Sequence, residues 1–414
     1  MTRSTLMIFV ALLPACGGAP APVLTFAGSA VGTEAAILRD QLARFARLHP
    51  DLRVEVRATP DAADTRHQLY VQWLNAHVSE PDVLQLDVIW TPEFGAAGWV
   101  LPLDAFQPDT SDFFAAAVAA NRWKGRLYAL PWFVDVGMLY WRTDLAPAPP
   151  GSFDELRAHA ANRSIPFGLV WQGARYEGLV TVFLEYLGGF GGRILDDRGR
   201  VDVDSEAAIR ALEYMRDAIY QHRVVPDAVL AWQEEQVRFA FQNGQAQFMR
   251  NWPYAAALLR DPAQSRVAGR FGVAPMPAGP GGRSAAALGG SQLAINARSD
   301  QPDAAYSLIA FLLEPEQMLE RARVVGQYPS RRSLYERSAL AGALGVPPAD
   351  ALRIIERAEP RPATPVYSQL SEVLQIHLHR ALTRQVEPHD ALTSAAAAIR
   401  TLLERSGLEA AEEQ

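Results

Sequence analysis

Apolar and polar positions along the chain fall into blocks of two periods. Short bulky runs at 23–26, 52–58, 81–90, 127–134, 167–171 and 245–250 read as strands, and 271–280 as a strand leading into a Pro/Gly loop. Between them apolar residues recur at helical spacing. A helix over 33–48 aligns Leu38, Leu42, Phe45 and Leu48, and one over 64–79 presents Leu69, Trp73, Leu74 and Ala76. Further helices are predicted over 177–187, 206–222, 234–243 and 303–313, and most of the chain beyond is helical. Boundary residues support these assignments. Thr33 is placed to cap the first helix, Ser152 with Glu155 three positions on forms a capping box, Asp204 or Ser205 caps another helix, and Gly244 closes one. The glycines at 188–192 follow a helix and precede the turn 196–199, so they read as a hairpin and not as a phosphate loop.

The stretch 123–144 has the densest apolar run. One carboxylate, Asp135, is set between Val134 and Val136. Burying it unpaired costs several kcal/mol, so it must neutralise, find a cation or face a polar cavity; capping a backbone amide at a strand end is the alternative. At 414 residues, 49% of them apolar, the chain exceeds the roughly 250–300 residues at which one core stops growing. Two lobes with a cleft between them are therefore expected. The net charge of −7, and basic residues that are scattered Arg apart from Lys124, exclude a nucleic-acid stripe. Because Gly125 follows the one Lys, a phosphate-binding G-x-x-x-x-G-K-[ST] loop is also excluded. The eight histidines are dispersed, so neither a metal site nor a cofactor is expected.

The first residues read as a targeting segment. Arg3, the apolar run 6–13 and Leu13-Pro14-Ala15-Cys16 are similar to the lipobox of bacterial lipoproteins, with Cys16 as the acylated residue and a small-residue tether at 17–22. Pro14 departs from that box, and an ordinary cleaved signal or a buried start of the chain stays open. Cys16 is the one cysteine, so an intramolecular disulfide is excluded.

Several motifs together resemble a known family. Residues 125–145, a W-x-G-x-x-Y-A-x-P turn followed by x-x-x-L-x-Y-x-x-D-L, resemble extracellular solute-binding proteins of ABC sugar importers, closest to their trehalose/maltose-binding branch. Pro81-Asp82-Val83 with Asp87, the run 88–103, Asn251-Trp252-Pro253-Tyr254, Leu288-Gly289-Gly290-Ser291 and Arg361-Pro362 with Pro365 and Tyr367 extend the resemblance over residues 23–406. It implies a two-lobed α/β fold of the periplasmic-binding-protein type, type II-like, with three inter-lobe crossings and a ligand cleft. One lobe would comprise 23–133 with 291–329, the other 134–290 with 330–414. It implies ligand contacts from Glu34, Asp87 and Asp135, stacking on Trp252, close backbone approach at Gly289 and Gly290, and a hydroxyl-binding fork at Arg361. Each has a plainer alternative: helix-dipole complementation for Glu34, a surface charge for Asp87, a core indole for Trp252, a structural salt bridge for Arg361. Ser291 and Phe133 depart from relatives that carry an aromatic and a Tyr there, which bears on the identity of the sugar.

The expected function is capture of a disaccharide, trehalose first, and its delivery to ABC permease subunits by an exported, non-enzymatic monomer that meets the membrane only through a lipid at Cys16. A glycosidase using Glu34, Asp87 or Asp135 as an acid/base pair is the rival reading, and a scaffold with a structural cleft is the third.

Overall fold

The computed structural model describes residues 21–28, 34–196 and 198–408. The strands are β1 (Val23–Gly28), β2 (Arg53–Ala58), β3 (Val83–Asp87), β4 (Arg122–Trp123), β5 (Arg126–Leu127), β6 (Ala129–Val136), β7 (Met138–Arg142), β8 (Phe167–Val170), β9 (Ala246–Asn251), β10 (Phe271–Pro275), β11 (Leu288–Ile295) and β12 (Tyr328–Pro329). They form a six-stranded sheet ordered β12-β6-β11-β3-β1-β2, a four-stranded sheet ordered β10-β7-β9-β8, and the small ribbon β4-β5. The helices are α1 (Glu34–Leu48), α2 (Ala63–Asn75), α3 (Thr91–Ala96), α4 (Ala115–Ala120), α5 (Phe153–Ala161), α6 (Glu177–Gly189), α7 (Glu206–Tyr220), α8 (Glu234–Gln242), α9 (Tyr254–Leu259), α10 (Pro302–Leu312), α11 (Pro315–Val325), α12 (Pro348–Glu356), α13 (Tyr367–Leu382) and α14 (Pro388–Arg405).

In the larger sheet β1 runs parallel to β2 and β3, and β11 pairs antiparallel with β3 and β6. β1, β3 and β6 are apolar along almost their whole length because both faces are covered, whereas the edge strand β2 is largely exposed. Asp82 ties the start of β3 to β1, its carboxylate accepting from Thr25 N and Oγ1 at 2.8 Å each. α6 is buried at all thirteen positions, and α13 packs on it and on α7 and α14.

The chain crosses between the sheets twice and finally leaves the larger one for helices. β6 leads through Gly137 alone into β7, the segment after β10 feeds β11, and β12 precedes the helices α12 to α14. The expected changeovers after residues 133 and 290 need correction. Leu288↔Val136, Gly289↔Asp135 and Gly290↔Val134 are ladder partners in the larger sheet, so the chain leaves that sheet at Gly137 and re-enters it at Leu288. Alternation of side chains cannot show which sheet a buried strand pairs with.

Other boundaries shifted for local reasons. Leu48, expected on the buried face of α1, is 67% exposed, while Ile37 and Gln41 are buried. α2 stops at Asn75 and not at 79, with His77 in the left-handed region at φ 54°, and it buries Arg66, Tyr70 and Leu74. Ser152 caps α5 as expected, accepting from Glu155 N at 3.2 Å, but the Glu155 carboxylate turns to Gly151 N at 2.7 Å, so the box closes one residue early. Ser205 occupies the cap position of α7 without a side-chain bond, and Asp204 pairs with Arg400 instead. The turn after the glycines is a tight one, with Leu195 bridging Val201 and Asp196 accepting from Arg198 N and Arg200 N. Cys16, Thr33 and the loop residues 29–32 lie outside the described residues.

Candidate functional site

Between the two sheets lies a cavity of about 370 Å³ whose wall includes Glu34, Asp87, Asp135, Trp252, Gly289, Gly290 and Arg361. All seven residues singled out in the sequence are thus brought to one place. Each arrives on an element end or a crossing: Glu34 at the start of α1, Asp87 at the end of β3, Asp135 near the end of β6, Trp252 just past β9, the glycines in β11, and Arg361 in the loop before α13.

Asp135 carries the clearest electrostatic signature. Its carboxyl accepts no hydrogen bond among the described residues. Burial pushes its pKa up to about 8, the neighbouring Glu34 and Asp87 add to the rise, and Arg250 opposes it. The side chain therefore resolves the cost of burial by holding a proton while facing the cavity, and it does not serve as a strand-end cap.

Arg361 is held by ion pairs. Nη1 donates to Glu177 at 2.7 Å, and Nη2 to Asp87 and to the Leu288 carbonyl at 3.3 Å each. Glu177 also accepts from Tyr367 at 2.9 Å and from Ser371. The salt-bridge alternative for Arg361 is what these contacts show, and the residue still lines the cavity. Its Nε is buried with no partner among the described residues. Burial raises the Glu177 pKa, and Arg361 counters it. Glu34 is buried and accepts from Gln327 at 2.9 Å.

Trp252 presents a half-buried indole. Its Nε1 donates to Glu234 at 3.4 Å, its backbone N to Asn251 Oδ1 at 2.8 Å, and its carbonyl accepts from the Tyr140 hydroxyl at 2.7 Å. The guanidinium of Arg250 lies 3.9 Å from the ring centroid, a cation–π contact that holds the ring plane. The glycines serve local packing. Gly290 has φ 118°, and a Cβ there would stand 2.3 Å from the Phe133 carbonyl oxygen; a Cβ at Gly289 would press on Trp252 at 3.2 Å.

Sequence reasoning missed Glu177, Glu234, Tyr176, Tyr254, Gln85 and Gln327, all of which line the cavity. Burial raises the pKa of Glu234, and a hydrogen bond from the neighbouring Tyr176 hydroxyl opposes the rise. Gln85 donates through Nε2 to Ser291 at 2.9 Å, and its buried Oε1 has no partner among the described residues. Glu177 and Glu234 both open helices, which in sequence looks like ordinary dipole complementation. The buried ion pair behind the indole, Glu185 with Arg250, had a readable signal: Glu185 is a lone carboxylate in an otherwise apolar stretch of helix.

A wall of carboxyls, amides and one indole suits a ligand rich in hydroxyl donors, with an apolar ring face for the tryptophan. Among the described residues no three His, Cys, Asp or Glu are grouped to hold a metal ion, and no helix is long and apolar enough to cross a membrane.

Comparison with known proteins agrees with this architecture. A maltose-bound MalE3 of T. maritima is similar with a TM-score of 0.88 at 42% identity, covering 92% of this chain and all of that one. The GacH receptor of Streptomyces glaucescens superposes with a TM-score of 0.82 at 26% identity, over 93% of this chain and 99% of that one. A probable ABC transporter-binding protein of Deinococcus radiodurans is 36% identical over 357 residues, 82% of this chain and 84% of the relative. The family model described as bacterial extracellular solute-binding protein matches residues 29–319. The extent of that match, with two sheets enclosing one polar cavity, establishes that this chain belongs to the bacterial extracellular solute-binding proteins.

Proposed function

We propose that the protein captures a disaccharide of the maltose/trehalose kind in the cavity between its sheets and hands it to the permease of an ABC importer. The observation that carries this reading is the pairing, in one cavity, of a carboxyl at Asp135 that accepts no hydrogen bond among the described residues and a half-exposed indole at Trp252. Hydroxyls of the sugar would bond Asp135, Asp87 and Glu34, its C–H face would stack on Trp252, and the bend at Gly289 and Gly290 would leave the ring its room. Arg361, held between Asp87 and Glu177, would offer its remaining N–H toward the ligand. Maltose in the MalE3 structure and acarbose with the GacH receptor support a glucose-containing ligand. Trehalose remains the first candidate from the motif resemblance, and the protein would work as an exported monomer, anchored through acylated Cys16.

A disaccharide has about 23 heavy atoms, and ~0.3 kcal/mol per atom gives about 7 kcal/mol, a Kd on the order of 10 μM. Calorimetry against trehalose, maltose and sucrose tests the assignment. Binding of at least one of them near that affinity is expected, with W252L weakening it about 100-fold; a protein silent to all three refutes the reading. A protonated Asp135 beside Glu34 and Asp87 is the one feature that would also suit a glycosidase. Prolonged incubation with trehalose and maltose should release no glucose, and release would identify hydrolysis instead.

A further inference from the structure

Behind the cavity lies an ion pair that no ligand contact requires. Arg250 Nη2 donates to Glu185 Oε1 at 2.5 Å and Nε to Oε2 at 2.9 Å, and both side chains are closed off from solvent, at 1% and 0% exposure. Gln172 completes the shell, accepting from Nη1 and donating to the Arg250 carbonyl at 3.4 Å each. A pair this deep loses hydration that an apolar pair of equal volume would not, so its presence asks for a role other than stability.

Its neighbours define that role. On one side the guanidinium lies 3.9 Å from the Trp252 ring centroid. On the other, Glu185 Oε1 accepts from Ala287 N at 3.3 Å, immediately before β11, and the Ala287 carbonyl accepts from Gly137 N at 3.3 Å, the single residue between β6 and β7. A Cβ at Gly137 would fall 1.7 Å from Glu185 Oε1 and 2.7 Å from Arg250 Nη2. The pair thus touches two inter-sheet crossings with one end and the indole with the other.

We propose that Glu185 and Arg250 are positioning residues that lock the Trp252 ring to the crossings at Gly137 and Ala287, so that stacking on the indole and closure of the lobes become one event. The proposal rests on the sugar-binding reading above. Glu185 orients the guanidinium, the guanidinium orients the ring, and Gly137 is glycine because the carboxylate needs the space where a side chain would begin. A ring displaced by ligand moves against a support already bonded to both crossings, and a crossing that shifts carries the ring with it.

The test uses the full chain in four forms: wild type, the apolar pair E185L/R250M, W252L, and the triple variant. With trehalose or maltose as titrant, the pair variant should weaken binding ~10-fold and W252L ~100-fold, with the triple variant no weaker than W252L because both act through one ring. Wild-type affinity in the pair variant, or factors that multiply in the triple, overturns the proposal. A ligand-free readout keeps it testable whatever the sugar result: amide exchange at Gly137 and Ala287 should accelerate ~10-fold or more in E185L/R250M while the β1 amides keep their rate. Unchanged exchange at the two crossings overturns it. If the pair variant does not fold, E185Q, which removes the charge and keeps an acceptor, is read by the same criteria. Wild-type protein that binds no sugar defeats the functional reading alone, and the exchange measurement then decides the coupling.

Discussion

Asp135 holds its proton up to about pH 8 in the folded chain, against an ordinary value of 3.8. Between those values the folded protein binds a proton that the unfolded chain has released. The stabilisation is therefore complete below the unfolded value and is lost as pH rises through the folded one. Melting temperature should fall between pH 5 and pH 8, and D135N should make that fall shallower. Burial also raises Asp64, Glu177 and Glu234, so the slope should flatten without vanishing. A melting series across this range checks it, and equal slopes for the two proteins would contradict the assignment. Asp135 was visible in the sequence because its apolar neighbours left a charge with no cheap surroundings. Glu177 was not, because a glutamate opening a helix looks the same whether it meets water or a buried guanidinium.

At the scale of elements, β11 shows how much hangs on one backbone conformation. At Gly290 the φ of 118° and the Phe133 carbonyl oxygen leave no place for a methyl group. G290A should cost about 2–4 kcal/mol in denaturant unfolding, with ligand affinity falling alongside. S152A, which removes the cap on α5, should cost about 1 kcal/mol by the same measurement and leave affinity alone. The strands were legible because apolar runs ended at turn residues, whereas β11, which carries Gly289, Gly290 and Ser291 near its start, showed only a motif resemblance. What escaped was the partner of each strand. Residues 134–136 and 288–290 belong to the larger sheet through hydrogen bonds, about which side-chain pattern says nothing. The end of α2 escaped as well, since a left-handed His77 has no more signature than an ordinary histidine.

Across the whole molecule, contacts remote from the indole also join the two halves. Ser368 on α13 donates to Glu93 on α3 at 2.7 Å and lies 3.3 Å from His67 on α2, which itself meets Glu93 at 2.8 Å. α2 and α3 precede the first crossing, and α13 follows the last departure from the larger sheet, so this clasp exists only while the halves are together. S368A should raise the ligand dissociation rate several-fold, the equivalent of about 1 kcal/mol, with the association rate little changed. Stopped-flow fluorescence measures both rates, and an unaltered dissociation rate would show that the clasp does not hold the closed form. The two-lobed plan was legible from length and apolar content alone, but the clasp was not, because its three members are polar residues 26 and 275 positions apart with no pattern linking them.

The link at Gly137 is one residue long. A tether this short would resist sliding, so relative motion of the halves would be a tilt about an axis near that residue, like a jaw on its pin. Displacement then grows with distance from the pin: the far rims travel most, and the groups beside the pivot scarcely move. Whatever reads the occupied state from outside would gain most by gripping those rims, where a small rotation becomes a large change of outline.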